Sequence, residues 1–245
     1  MPNIQKTSGI ILSTRPFKES SLIASVFTRK FGKIRVIAKG CRRPKSKFCG
    51  ALEPFAKDDV IFYKREGRDL YTLSDAVILE DYPDIRKSVL KVTAAQTLCE
   101  FFDKVSPAEE PDEKGYGLLT NFLNAVNETE EKNLKAVTYL YLLRGMGHAG
   151  IKPHLVDCVR CREPITGKNE KLFFSLAGGG VVCERHYDDT AVTLRPETMA
   201  LLRQAYDRQK LVITRAVLAE IEQFVPRYIE YHLDGLILNA LKHLP

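Results

Sequence analysis

Four residues of this chain have the types and spacing to hold a metal ion: Cys158 and Cys161 in CVRC, Cys183 and His186 in CERH. The pattern is C-x2-C-x21-C-x2-H. Zinc favours four soft or borderline ligands in a tetrahedron, and a two-residue spacer lets one tight turn deliver two of them. Between the pairs, EPITGKNEKLFFSLAGGGVV reads as a hairpin, with turn signals at Thr166-Gly167-Lys168-Asn169 and at Gly178–Gly180. The expectation is a zinc-ribbon-like module over residues 151–190, with Zn2+ held by Cys158, Cys161, Cys183 and His186. Two alternatives stay open: His154 as the fourth ligand in place of His186, and a site that holds no metal.

Four protein ligands leave no open position for a substrate, so such a zinc is structural. Catalytic signatures are missing elsewhere. There is no H-E-x-x-H, no G-x-x-x-x-G-K-[ST] and no G-x-S-x-G. The H-x-E element that precedes P-C-x-x-C in zinc deaminases is absent too. Gly145 to Gly150, GMGHAG, matches G-x-G-x-x-G by letter. A dinucleotide site needs a strand before that motif, whereas here the preceding residues read as helix; the glycines suit a helix end leading into the zinc module. His148, His154, His232 and His243 are scattered, and Asp58-Asp59 sits at a strand entrance where a turn role suffices. Cys99 belongs to a helical apolar pattern, while Cys41 and Cys49 stand too far apart for a metal knuckle. No catalytic residue is expected.

The second chemistry-bearing feature is electrostatic. Residues 1–80 carry 16 Lys and Arg against 8 Asp and Glu, a net of +8, although the whole chain is only +6. Between Glu19 and Glu53 no acid occurs, and nine basic residues do: Arg29, Lys30, Lys33, Arg35, Lys39, Arg42, Arg43, Lys45 and Lys47. The last five fall within VIAKGCRRPKSKFCG, residues 36–50. Soluble surfaces normally mix signs, so an unmixed field points to an anionic partner. Phe48, inside the basic loop, is the aromatic placed to stack on a base. Phosphate neutralisation plus stacking is how single-stranded nucleic acid is held without sequence preference.

The elements that position these groups follow from periodicity. Five short runs, Ser8–Arg15, Leu22–Arg29, Lys33–Lys39, Asp59–Arg65 and Asp69–Leu79, are rich in β-branched and aromatic residues and separated by turn signals. In the third, Ile34, Val36 and Ala38 alternate with Lys33, Arg35 and Lys39, which sends the apolar set inward and the basic set outward. Five such strands suit a small closed barrel of the OB-fold kind. From Asp84 the period becomes helical, with helices expected over Asp84–Val105, Leu118–Val126, Leu134–Leu143 (capped by Asn133), Pro196–Arg208 and Thr214–Leu244. An acidic loop is expected at 106–117, and Pro226 should kink or split the last helix. The fold class is α+β: a five-stranded OB-fold barrel at 1–80, a helical domain at 81–150 and 191–245, and the zinc module between them.

The opening MPNIQKTSGI lacks the apolar core of a signal peptide. No run approaches the ~18 apolar residues of a membrane span. Six cysteines are too sparse for a disulfide scaffold in a chain of 245 residues. These features fit a reducing cytoplasm. Two other classes compete with nucleic-acid binding: a nucleic-acid-modifying enzyme with an unrecognised centre, and an adaptor whose basic loop reads an acidic protein tail.

Residues 9–55 resemble the start of the bacterial RecO family of recombination mediators. The resemblance rests on Gly9–Arg15 (GIILSTR), Thr28–Lys33 (TRKFGK), Ala38–Ser46 (AKGCRRPKS) and Leu52–Phe55 (LEPF). LLRGMGHAGIKPHLVDCVRC, residues 142–161, resembles the family's helix, glycine turn, proline and first zinc pair. The resemblance implies an OB-fold, a helical domain and a zinc-binding insertion. It also implies binding of single- and double-stranded DNA, annealing of complementary strands, and action near the nucleoid. The implied partners are RecR and the single-strand DNA-binding protein, through its C-terminal tail, and indirectly the recombinase RecA. For that tail it suggests a pocket near Leu142, Leu143 and Arg144. Many relatives close the zinc site with a fourth cysteine where this chain offers His186.

Overall fold

The computed structural model describes residues 3–48, 50–165, 172–206 and 213–244. Its first five strands are β1 (Asn3–Phe17), β2 (Ser21–Thr28), β3 (Gly32–Ala38), β4 (Lys57–Lys64) and β5 (Leu70–Glu80). They close into a barrel in the order β1-β2-β3-β5-β4. Closure depends on the length of β1: its C-terminal half pairs with β2, from Gly9–Thr28 to Phe17–Ser21. Its N-terminal half pairs with β4, from Asn3–Lys64 to Ile10–Lys57. A register shift between Ile11 and Ser13 bends the strand where it passes from one neighbour to the other.

Alternation does the rest. In β3, Ile34, Val36 and Ala38 are buried while Arg35 is exposed, as the period of two requires. Ile11, Val26, Val60, Phe62 and Tyr71 join them in one core cluster. Phe62 lies at its centre, stacked on Tyr71 at 5.4 Å and met edge-on by Phe31 at 5.6 Å.

The strand order explains the long basic loop. The β3 strand neighbours β5 in parallel, through only Arg35–Leu70, Val36–Tyr71 and Ile37–Thr72. The next strand in sequence, β4, lies on the far side of β5, so the chain must cross an end of the barrel first. Residues 39–56 make that crossing. Their second half plugs the barrel: Phe48, Ala51 and Leu52 belong to the core cluster. Backbone bonds from Phe55 N to the Ile11 carbonyl (2.7 Å) and from Ile11 N to the Ala56 carbonyl (2.9 Å) tie the crossing to β1.

Helix α1 (Pro83–Arg86) and α2 (Val89–Val105) replace the single helix expected over 84–105. The break lies at Ser88, whose extended backbone and hydroxyl, accepting from Lys91 N at 3.3 Å, form an N-cap. Helix α3 runs Glu113–Glu128, five residues earlier than expected, because Asp112 caps it by accepting from Gly115 N at 2.8 Å. The acidic loop is correspondingly shorter. Helix α2 docks on the barrel through Asp103, which accepts from Ser13 (3.0 Å) and Ser25 (2.6 Å), and through Phe102 against Phe27 at 5.5 Å.

Helix α4 spans Glu131–His148 and thus contains Asn133, which lies in its first turn and is not its cap. Gly145 and Gly147 are inside this helix, where the sequence suggested its end. Gly147 is there for space: a Cβ on it would lie 2.6 Å from the Tyr206 ring. A three-stranded sheet follows, ordered β7-β6-β8, from β6 (Leu172–Ser175), β7 (Gly180–Val182) and β8 (Ala191–Leu194). The β8 strand was not foreseen, and it extends the module past residue 190. Helix α5 (Pro196–Gln204) and α6 (Arg215–His232) complete the set. Pro226 sits within α6 without ending it. The helix stops at His232, short of the expected Leu244, where Asp234 and Gly235 take positive φ of 47° and 76°. Ala240–His243 form a short 3-10 turn.

The described residues divide into two compact units, one reaching Leu134 and including the segment from Asn239, the other Lys135–Leu238. The last barrel strand, β5, ends at Glu80, and α1, α2 and α3 belong to the barrel's unit. In the second unit, Phe174 of β6 meets Phe224 at 4.9 Å and Tyr228 at 5.7 Å, both on α6.

Candidate metal centre and nucleic-acid surface

Two tight turns bring the sulfur and nitrogen donors together. The first is closed by Arg162 N to the Cys158 carbonyl (2.8 Å) and Cys158 N to the Glu163 carbonyl (2.9 Å). The second follows β7 directly, with His186 N bonded to the Cys183 carbonyl at 2.9 Å. Val159 N to the Val181 carbonyl, 2.9 Å, pins one turn to the strand that delivers the other. Gly180 permits the close packing, since a Cβ there would lie 2.6 Å from the His154 carbonyl. The turn expected at Gly178–Gly180 joins β6 to β7, whereas the one at 166–169 lies outside the described residues.

The donor atoms of Cys158, Cys161, Cys183 and His186 all lie within 4.8 Å of one another. Cys161 Sγ and Cys183 Sγ are 3.8 Å apart. His186 Nδ1 is 3.2 Å from Cys183 Sγ and 3.8 Å from Cys158 Sγ. A tetrahedral zinc with bonds of about 2.3 Å to sulfur and about 2.0 Å to nitrogen requires sulfur–sulfur separations of about 3.8 Å and sulfur–nitrogen separations of about 3.5 Å. The set fits. Burial alone would push the Cys158 thiol up, but the backbone amides of Cys161, Cys183 and Arg160 outweigh it and bring the thiol down to about 6, while Cys161, against the lowering effect of the Glu163 amide, is pushed up to about 11 by burial and by Cys158 and Cys183. A thiolate at neutral pH is what a metal requires. The fourth donor that lies with the three sulfurs is His186; His154 is not in the cluster, and its Nε2 lies 2.8 Å from Asp157 Oδ1.

The nine basic residues of the N-terminal third separate into two groups. Arg29 is paired with Glu113 at 2.6 Å, and that hydrogen bond raises its pKa further. The Lys33 ammonium donates to the Asp103 carbonyl, and its burial lowers its pKa. Arg35 reaches Asp69 at 3.5 Å. These partners come from helices and a hairpin distant in sequence, so the linear charge run could not reveal them. Lys30, Lys39, Arg42, Arg43 and Lys45 have no ion-pair partner among the described residues, and all five are exposed. Lys47, also exposed, donates to the Ser74 carbonyl.

Phe48 corrects the reading made from the sequence. It is 3 % exposed and packs in the barrel core, with the Lys47 ammonium 5.2 Å from its ring centroid. It offers no face to a base. Leu142 and Leu143 are likewise fully buried, and Arg144 donates to the Ala205 carbonyl at 3.0 Å. Sequence reasoning missed Arg65 and Arg68, which line a cleft with Lys39 and Tyr63. Their neighbours Glu66 and Asp69 cancel their charge along the chain, and only the β3–β5 pairing brings them to Lys39.

The chain thus carries a closed five-strand barrel with a cationic crossing loop, and a Cys3His cluster able to hold a metal. The chain matches two family models: Recombination protein O N terminal over residues 1–82, and Recombination protein O C terminal over residues 86–242. It is 30 % identical over 243 residues to the DNA repair protein RecO of Alkaliphilus metalliredigens, covering 97 % of each chain. It is 32 % identical over 238 residues to that of Bifidobacterium longum, covering 95 % of each. Against the Syntrophus aciditrophicus protein it is 31 % identical over 188 residues, 76 % of this chain and 71 % of the relative. The chain belongs to the RecO family, whose work is DNA repair and recombination. No helix among the described residues is long and apolar enough to cross a membrane.

Proposed function

We propose that the protein is a recombination mediator that grips single- and double-stranded DNA through the β3–β4 crossing loop of an OB-type barrel and anneals complementary strands. The observation that carries this reading is the group Lys39, Arg42, Arg43 and Lys45: four exposed cations in one loop, none ion-paired among the described residues. Unpaired cations are free to neutralise phosphates and release counterions, which gives sequence-tolerant binding. Screening the repulsion between two strands held on such a surface promotes their pairing. No step needs covalent chemistry.

Family membership extends the reading to partners: RecR, the single-strand DNA-binding protein through its C-terminal tail, and RecA loaded onto the gaps that protein coats. The setting is the cytoplasm, at the nucleoid. Zinc, held by Cys158, Cys161, Cys183 and His186, would supply a cross-link between two turns and no reaction. Annealing of complementary oligonucleotides by the wild type and by Lys39→Ala/Arg42→Ala/Arg43→Ala tests the proposal. The variant should anneal at least tenfold more slowly; equal rates would reject the loop as the DNA grip.

A further inference from the structure

We propose that the cleft between the end of β3 and the β4–β5 hairpin is a nucleotide pocket that reads unpaired bases. This deepens the DNA-binding reading and rests on it. The cleft has a volume of about 430 Å³ and is lined by Lys39, Tyr63, Arg65, Arg68, Leu70, Tyr71 and Thr72. No carboxylate is among them. Lys39, Arg65 and Arg68 are exposed and carry no ion pair among the described residues, although Glu66 and Asp69 are adjacent in sequence. Three uncompensated cations around one concavity select an anion.

The cleft also has an aromatic and an apolar wall. Tyr71 is buried and committed, its ring stacked on Phe62 and its hydroxyl donating to Glu109 at 2.5 Å. Tyr63, by contrast, is half-buried and makes no side-chain hydrogen bond or ring contact among the described residues. Its backbone lies in the sheet, paired to Ile4 on one side and Thr72 on the other. A phenol ring carried on a sheet strand beside guanidinium groups is the combination that takes a base by stacking and its phosphate by charge. A volume of about 430 Å³ accommodates one nucleotide unit, and a base inside a duplex has both faces covered by its stacked neighbours and none left for Tyr63. The cleft therefore takes a splayed base of a single strand, while the crossing loop, which needs only phosphates, serves single and double strands alike. This assigns to Tyr63 the stacking role that buried Phe48 cannot fill.

The test measures anisotropy of labelled oligo-dT and of a duplex of equal length, for Tyr63→Ala, Arg65→Ala/Arg68→Ala and Arg42→Ala/Arg43→Ala/Lys45→Ala. Both cleft variants should lose about tenfold or more in single-strand affinity with duplex affinity within twofold, a selectivity the loop variant does not show. Photocross-linking of oligo-dT carrying 5-iododeoxyuridine should place the adduct on Tyr63 and should disappear in Tyr63→Ala. Equal losses on both substrates would reduce the cleft to general charge and overturn the pocket. Unchanged single-strand binding would overturn it as well. Should the loop variant bind normally while the cleft variants fail, the loop is rejected and the pocket stands.

Discussion

The backbone amide of Leu52 donates to Asp58 Oδ2 at 2.8 Å, inside the barrel's sealed end. Asp58 is fully buried, and its Oδ1 has no hydrogen-bond partner among the described residues. Leu52 and Phe55 meanwhile hold positive φ of 65° and 57°, which non-glycine residues adopt rarely. This carboxylate fastens the closing half of the crossing loop, so the shape of the cationic half depends on it.

Burial raises the Asp58 pKa above its ordinary 3.8, against the lowering effects of the Leu52 amide and Arg86. The folded state thus holds this proton more tightly than the unfolded state does. Its contribution to stability is fully present below 3.8 and is lost as pH climbs through the raised folded value. Asp58→Asn removes that titration while keeping an oxygen for Leu52 N. Urea unfolding from pH 3 to pH 7 should show wild-type stability falling relative to the variant as pH rises; parallel curves would contradict the assignment.

Phe48 distinguishes a core residue from a stacking residue. Truncating a buried phenylalanine to alanine typically costs ~3–5 kcal/mol. Phe48→Ala should lose stability on that scale in denaturant titrations. Phe48→Leu, which retains most of the volume, should bind oligo-dT within twofold of wild type. A folded Phe48→Leu protein with tenfold weaker binding would restore the ring to the DNA surface.

The ion pairs divide the basic residues functionally. Arg29 already has Glu113 at 2.6 Å, whereas Arg42 has no carboxylate among the described residues. At low salt, Arg29→Ala should therefore weaken DNA binding less than Arg42→Ala does. Glu113→Gln should strengthen it by freeing the guanidinium. Both effects are read by titrating labelled single strands.

Metal content tests the Cys3His cluster independently of DNA. Purified protein should carry about one zinc per chain by elemental analysis, and Cys158→Ser should carry little. Chelation should lower the melting temperature of wild type and leave that of Cys158→Ser unchanged. Stoichiometric metal in the variant would exclude Cys158 as a ligand.

Much of this arrangement was legible in the sequence. Alternation located all five barrel strands, because each buries one face and the period of two is local. The metal set was legible because its turns are short-range. Contacts made between distant segments were not. Glu113 and Asp103 neutralise or occupy Arg29 and Lys33 from helices more than 65 residues away, as hydrogen bonds spanning 84 and 70 positions show. Phe48 looked like a loop aromatic because nothing local states that the crossing loop turns back to plug the barrel. Helix starts shifted where a single capping side chain, Asp112 or Ser88, outweighed nearby glycine and proline signals.

The most direct test of the central claim is the salt dependence of single-strand binding by wild type and by Lys39→Ala/Arg42→Ala/Arg43→Ala. Each phosphate contact on a single strand contributes about −0.7 to the slope of log K against log salt. Losing three contacts should flatten the slope by about 2 and weaken binding most at low salt. A triple variant that binds as tightly as wild type, with the same slope, would contradict the account.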